Sequence, residues 1–304
     1  MADVAESIFN AIAKQEVLEP IANAVQSAVR GSFRGEGGRQ TKNFLHGTWL
    51  GHPLHPVLTD IPVGAWTVAA ICDLVAVAGD AELEPAADAS IAIGLAGAVG
   101  AAVTGLTDFS ETDGRGKRLG IVHGALNVVA TALYTSSLVM RLTKKNRGNA
   151  VALALLGYAI SGASAYIGGH LVFGEQIGVD HTATADDQEP RDFKRVAALA
   201  DIADGVPTRA VVDGIAVLLV RRGAQLFAIS ETCSHLGGPL AEGKLEGNVI
   251  ECPWHRSRFS IENGEVIDGP ATAPARCFEV RVVGGDVEVR AANKQAAINE
   301  QQTT

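Results

Sequence analysis

Cys233-Ser-His235 and Cys252-Pro-Trp-His255 place a cysteine and a histidine together twice, as C-x-H and then C-x-x-H, with sixteen residues between the two pairs. Two short loops that each deliver one thiolate and one imidazole suit a metal centre assembled between them. Gly237, Gly238 and Pro239 after the first pair, and Gly269-Pro270-Ala271 after the second, are the residues that tight loops require. A Cys2His2 zinc site uses the same ligand types. Zinc pairs, however, commonly keep cysteine with cysteine and histidine with histidine, whereas each pair here mixes the two.

The surroundings of these pairs resemble a Rieske [2Fe-2S] ferredoxin domain from about Phe193 to Ala292. The resemblance is carried by Cys252-Pro-Trp-His-Arg-Ser-Arg-Phe259, then Asn263-Gly264-Glu265-Val266 and the Gly269-Pro270-Ala271 loop, in that order. In such a centre two histidines replace two of the four cysteines on one iron. The resemblance implies that Cys233 and Cys252 hold one iron while His235 and His255 hold the other. It also implies an all-β fold, in agreement with the β-type runs Ala210 to Val220, Phe278 to Val283 and Val287 to Arg290 beside Gly-rich turns. High-potential members of the family brace the cluster with a disulfide, whose positions are Gly238 and Trp254 here. Ser257 stands where a hydroxyl bonds a cluster sulfide, and Phe259 replaces a tyrosine that does likewise. Fewer hydrogen bonds to sulfur place the expected potential toward the lower end of the roughly −150 to +300 mV Rieske range. Cys72 and Cys277 read as small buried hydrophobes.

The composition is 47% apolar but only 5% aromatic, and the apolar residues concentrate before Glu175. Ala89 to Thr107, Leu119 to Met140 and Gly148 to Gly174 hold no Asp, Glu, Lys or Arg, and Ile61 to Gly79 holds only Asp73. About 20 such residues span the hydrocarbon layer, so an all-α bundle of four transmembrane helices is expected ahead of the all-β domain. A soluble Ala/Gly-rich bundle would show charges at helical period, and these runs do not. Gly94, Gly97, Gly100, Gly105, Gly157, Ser161 and Ser164 read as close-packing positions. For Asp73 a hydrogen bond to a neighbouring helix is expected, and for Asp60 no firmer role than a proton relay. The stretch from roughly residue 45 to 175 resembles an uncharacterised bacterial four-helix membrane domain family, through Gly51-His-Pro-Leu-His-Pro56 and Asp60-Ile-Pro-Val-Gly64 with the later His123 and His170. That resemblance implies a fusion of the two domains.

The first 45 residues lack a signal-type apolar core. Val4, Ile8 and Ile12, then Ile21, Val25 and Val29, recur at helical spacing, which predicts two amphipathic helices separated at Pro20, with Gly31 to Gly38 as a flexible joint. The expected plan is therefore 1–45 amphipathic helices, 46–174 membrane bundle, 175–192 linker, 193–292 Rieske domain and 293–304 tail.

With four spans, His46, His52 and His55 before the first helix, His123 at the start of the third and His170 at the end of the fourth share one membrane face. His52, His55, His123 and His170 are the candidate cofactor ligands. Ionisable groups at membrane depth are costly and tend to be functional, and imidazole suits haem iron and other metals. Haem b between two of His55, His123 and His170 is the preferred occupant, with a quinone head group second. The β domain follows the fourth helix and emerges on this same face. Basic residues favour that face as cytoplasmic. Residues 175–304 carry 13 basic and 20 acidic side chains, which disfavours nucleic acid and suits charge-steered docking to a soluble reductase or oxygenase-type partner. The function expected is single-electron transfer at the surface of a lipid membrane; a membrane oxidoreductase with a His-ligated metal, or a redox sensor, are the alternatives. No Gly-x-Gly-x-x-Gly nicotinamide fingerprint occurs.

Overall fold

A computed structural model describes residues 2–183 and 189–292; the expected tail 293–304 and the side chain of Val4 lie outside the described residues. The chain divides between Gly178 and Val179 into two compact units.

The first unit is helical. Three short helices, α1 (Ala2–Ala13), α2 (Leu18–Ser32) and α3 (Gly35–His46), precede four long ones: α4 (Leu54–Val77), α5 (Glu84–Phe109), α6 (Gly114–Leu142) and α7 (Arg147–Phe173). The long helices have 24, 26, 29 and 27 residues, enough to cross a bilayer, and all four are apolar enough to do so. Their outward residues are the apolar ones: Ile71, Val99 and Val128 are 56%, 64% and 70% exposed. The interior holds Ala69, Ile91, Gly94, Tyr134, Ser137, Ala154 and Ser164. A soluble bundle buries its large aliphatic residues and exposes polar ones; this bundle does the reverse, as lipid requires.

Two expectations are corrected at the N-terminus. Pro20 does not separate a pair of helices, because it lies in the first turn of α2, where its missing N–H costs nothing. Gly31 to Gly38 is not a joint. α3 already begins at Gly35, and a Cβ on Gly38 would lie 2.4 Å from the carbonyl carbon of Phe33, so glycine there permits close backbone approach. The short helices dock on the bundle. Gln26 of α2 donates 2.8 Å hydrogen bonds to the carbonyls of Phe109 and Thr112, and Arg30 donates to that of Ser110, tying α2 to the turn where α5 ends.

Asp73, expected to bond a neighbouring helix, does so through an ion pair. Arg141 of α6 donates to both its carboxylate oxygens at 2.8 and 2.6 Å, and neither side chain is exposed. Arg141 also reaches Asp88, which Arg147 shares. Asp60 is exposed.

The second unit is built of antiparallel strands in three sheets, ordered β1-β10-β9, β2-β3-β4 and β5-β6-β7-β8. The strands are β1 (Lys194–Ala198), β2 (Thr208–Val212), β3 (Ile215–Arg222), β4 (Gln225–Ser230), β5 (Lys244–Glu246), β6 (Val249–Glu251), β7 (Arg258–Ser260), β8 (Val266–Asp268), β9 (Phe278–Val283) and β10 (Asp286–Ala291). The single run Ala210 to Val220 is a hairpin: Asp213-Gly214, at φ 50° and 86°, turns β2 into β3. β3 separates two cores. Val217 and Leu219 face Ala228, Phe278, Val287 and Val289, while Leu218 and Val220 face Ile229, Leu240, Ile250 and Phe259. Strand alternation sends successive residues to opposite sides, so β3 has to be apolar on both faces.

Of the segment read as linker, Glu175 accepts from Arg115 in the helical unit, and the His181 N–H bonds Ser234 in the β unit at 3.0 Å.

Removing one partner of a buried ion pair costs about 3–5 kcal/mol. Arg141→Ala is therefore expected to lower the thermal midpoint of the detergent-solubilised protein, and Asp73→Ala added to it to recover some of the loss. An unchanged midpoint in Arg141→Ala would contradict this role.

Candidate iron-sulfur centre

The connection from β4 to β5 carries Cys233 and His235, and the connection from β6 to β7 carries Cys252 and His255. Both close in the same way. The Cys233 N–H donates to the Gly238 carbonyl at 2.9 Å and the Gly237 N–H returns to Cys233 at 2.9 Å; the Cys252 N–H donates to Ser257 at 2.8 Å and the Arg256 N–H returns to Cys252 at 3.1 Å. In each loop the residue four after the cysteine has positive φ, 75° at Gly237 and 60° at Arg256. Two sequences of different spacing thus reach one loop shape, which sets each histidine beyond its cysteine.

The cysteines sit inward and the histidines outward. Cys233 and Cys252 are each 1% exposed and belong to the core with Leu240, Ile250 and Phe259. The imidazoles of His235 and His255 are half-buried, with centroids 4.9 Å apart and planes at 83°. A hydrogen bond between the two thiols draws Cys252 down to about 6 and pushes Cys233 up, burial adding to the rise. One thiolate is thereby favoured before any metal binds. Burial alone pushes Cys277 up to about 11, in keeping with an inert core thiol.

Gly238 completes the cradle. A Cβ there would meet the Cys252 sulfur at 2.8 Å and the Trp254 ring at 3.1 Å. None of the four cysteines is in a disulfide. The Ser257 hydroxyl is fully buried and accepts from the Ala271 N–H at 3.0 Å, so its own proton is available to another acceptor. Phe259 is fully buried and brings no hydroxyl. Among the described residues no three of His, Cys, Asp or Glu converge to hold a single metal ion. Two sulfurs on one side and two imidazoles on the other fit a two-iron cluster, in which each iron takes two protein ligands, better than a zinc ion that gathers all four.

Family models agree with both units. Residues 192–279 match the Rieske [2Fe-2S] domain. Residues 51–181 match a predicted membrane protein family, DUF2231. Ferredoxin CarAc of Metapseudomonas resinovorans is 40% identical over 101 residues, 33% of this chain and 94% of its own length. The chain belongs to the Rieske [2Fe-2S] ferredoxin family. The ferredoxin component of biphenyl 2,3-dioxygenase from Rhodococcus jostii is 35% identical over 95 residues, 31% of this chain and 89% of that protein. Among solved structures, the ferredoxin of carbazole 1,9a-dioxygenase from Nocardioides aromaticivorans IC177 is 37% identical, covering 33% of this chain and 98% of its own, with a TM-score of 0.32. The chain is thus a Rieske electron-transfer protein joined to a membrane domain, and a [2Fe-2S] cluster is its cofactor.

The membrane histidines separate into distinct environments. His55 of α4 and His123 of α6 come together, ring centroids 6.5 Å apart. His170 does not join them: its ring stacks under Phe9 of α1 at 3.9 Å, with Nε2 3.3 Å from Glu175. His52 lies exposed in the turn before α4. His46 is buried, its Nδ1 2.7 Å from Asp108. Helical spacing across such Ala/Gly-rich sequence carries too little contrast to indicate which imidazoles turn inward.

Two substitutions test the centre. Gly238→Ala is expected to lower iron and sulfide bound per chain, and undiminished content would show that the cradle tolerates a Cβ. Ser257→Ala is expected to retain the cluster and lower its midpoint potential in an EPR-monitored titration; a potential equal to the parent's would remove the hydroxyl from the cluster's hydrogen bonds.

Proposed function

We propose that this chain is a membrane-anchored Rieske ferredoxin that exchanges single electrons with a soluble redox partner of the oxygenase or reductase class, and with a haem or quinone site in its own helical unit. The observation that carries the reading is the pairing, in one polypeptide, of a complete Rieske ligand set with four membrane-spanning helices whose buried faces bring His55 and His123 together.

A bound cluster supplies a one-electron couple. The protein's role is to hold the sulfurs in its core and leave the two imidazoles as the contact toward a partner. Pro253 and Trp254, between the ligands of the second loop, are exposed and offer an apolar contact beside His255. The acidic balance after residue 174 suits brief docking to a basic partner. Relatives that are ferredoxin components of dioxygenases support a partner of the oxygenase class. The excess of basic side chains at the histidine end supports placing the Rieske domain in the cytoplasm. Anchoring raises the carrier's effective concentration near any acceptor in the same membrane.

The test is to express the full chain, separate membranes from cytosol, and record spectra of the detergent-solubilised protein, oxidised and reduced. His255→Ala is expected to lose the Rieske signal while the chain stays in the membrane and any second centre keeps its own spectrum. Loss of both spectra together would contradict independent centres.

A further inference from the structure

The four long helices form two copies of one hairpin. Neighbours around the bundle run α4, α5, α6, α7 and back to α4, so α4 and α6 are diagonal. His55, Trp66 and Asp73 on α4 recur 68 residues later as His123, Tyr134 and Arg141 on α6. Gly94, Ala101 and Gly105 on α5 recur 63 residues later as Gly157, Ser164 and Gly168 on α7. The contacts recur too. A Cβ on Gly105 would meet the His55 ring at 2.7 Å, and one on Gly168 the His123 ring at 3.0 Å; Gly94 and Gly157 abut Trp66 and Tyr134 in the same way. Because α4 and α6 run in the same direction, the two copies are related by a pseudo-twofold axis along the membrane normal. Each repeated pair meets its counterpart across that axis: imidazole with imidazole, Trp66 stacked on Tyr134 at 4.1 Å, and Asp73 with Arg141. Along the helix the steps between these levels are roughly 16 Å and 10 Å.

The two imidazoles are held as one tautomer. His55 Nδ1 lies 2.9 Å from the Ala101 carbonyl, and His123 Nδ1 lies 2.8 Å from that of Ser164. A carbonyl only accepts, so Nδ1 carries the proton and Nε2 the lone pair. The Asn127 amide donates to His123 Nε2 at 3.1 Å, as this assignment requires. An imidazole that gives its other N–H to a carbonyl is the usual form of a metal ligand. Such a nitrogen has no proton to offer the carbonyl of an oxidised quinone. With metal–nitrogen bonds of about 2 Å on both sides and the ring radii added, trans imidazoles stand about 6 Å apart between centroids; here they stand at 6.5 Å.

We propose that Nε2 of His55 and Nε2 of His123 are the two axial ligands of a single haem b on the pseudo-twofold axis, the Asn127 amide giving way when iron binds. The assignment rests on the reading of the helical unit as an electron-exchange site and decides its occupant. The ring planes stand at 84°, held by the two Nδ1 hydrogen bonds, so the ferric haem should give the highly anisotropic low-spin EPR signal of perpendicular imidazoles.

The experiment uses the full chain purified in detergent from haem-replete cells, with haem, iron, copper and zinc assayed and optical and EPR spectra recorded on one sample. One low-spin b haem per chain is expected, lost in His55→Gly and in His123→Gly, retained in His170→Ala, and returned to His55→Gly by added imidazole. The Rieske signal and monodisperse elution of the same samples report folding. Haem that persists in either glycine variant, or copper or zinc in its place, overturns the proposal. A chain with its cluster and no haem also overturns it, and leaves the carrier reading standing. Haem without a Rieske signal would instead strike the carrier reading.

Discussion

Two cysteine sulfurs buried in one hydrophobic core, with two half-buried imidazoles beyond them, are the constraint on which the β unit depends. Cys233 and Cys252 lie at the ends of two loops that close by the same pair of backbone hydrogen bonds, one of them around a non-glycine residue at positive φ, Arg256. Left-handed backbone at a non-glycine residue is unfavourable, and the second loop accepts that cost to set His255 opposite His235. The apolar faces of β3, β4 and β6 that pack under the sulfurs, Leu218, Ile229 and Ile250 among them, keep water from the inner side of the site. The imidazoles face the other way. A centre arranged so has a dry inner side that holds the sulfurs and an open side that presents the imidazoles.

The helical unit is governed by a different constraint. In lipid, apolar surface gives helices no reason to associate, so packing and polar contacts must supply it. Its interior accordingly pairs glycine with aromatic ring, as at Gly94 with Trp66 and Gly105 with His55, and ends in the buried pair of Asp73 and Arg141. Burying that pair is costly unless every donor is met. Here Ser137 and Asp88 take the remaining guanidinium contacts. The same internal duplication places like against like for the histidines and opposite against opposite for the charges, which is why one end of the axis is an imidazole pair and the other a closed ion pair.

Much of this was legible in the sequence. The mixed Cys/His pairs and their flanking glycines announce the iron-sulfur loops, and the charge-free runs announce the spans. What escaped was whatever depends on rotation about a helix axis or on a distant partner. Arg141 and Arg147 lie in the charged stretch between two charge-free runs, where solvent exposure would be the default, yet both turn inward to Asp73 and Asp88. Membrane side grouped His52, His55, His123 and His170 together, but only side-chain direction distinguishes the pair on the axis from His170, which Phe9 covers. The duplication was masked because its equivalent positions exchange chemistry, tryptophan for tyrosine and aspartate for arginine, while keeping geometry. Pro20 and the glycines of α3 misled for the converse reason: residues that break helices elsewhere are harmless in a first turn or where two backbones touch.

The electron-transfer chemistry of this chain depends on a Rieske cluster carried by a membrane-bound polypeptide. The most direct measurement is the EPR spectrum of dithionite-reduced membranes from cells expressing the full chain, with iron, sulfide and zinc determined on the purified protein. The expected result is the rhombic signal of a histidine-ligated [2Fe-2S] cluster in the membrane fraction, with iron and sulfide in the cluster's proportion and its loss in His255→Ala. Stoichiometric zinc without that signal, or the signal carried by a chain that partitions into the cytosol, would contradict it.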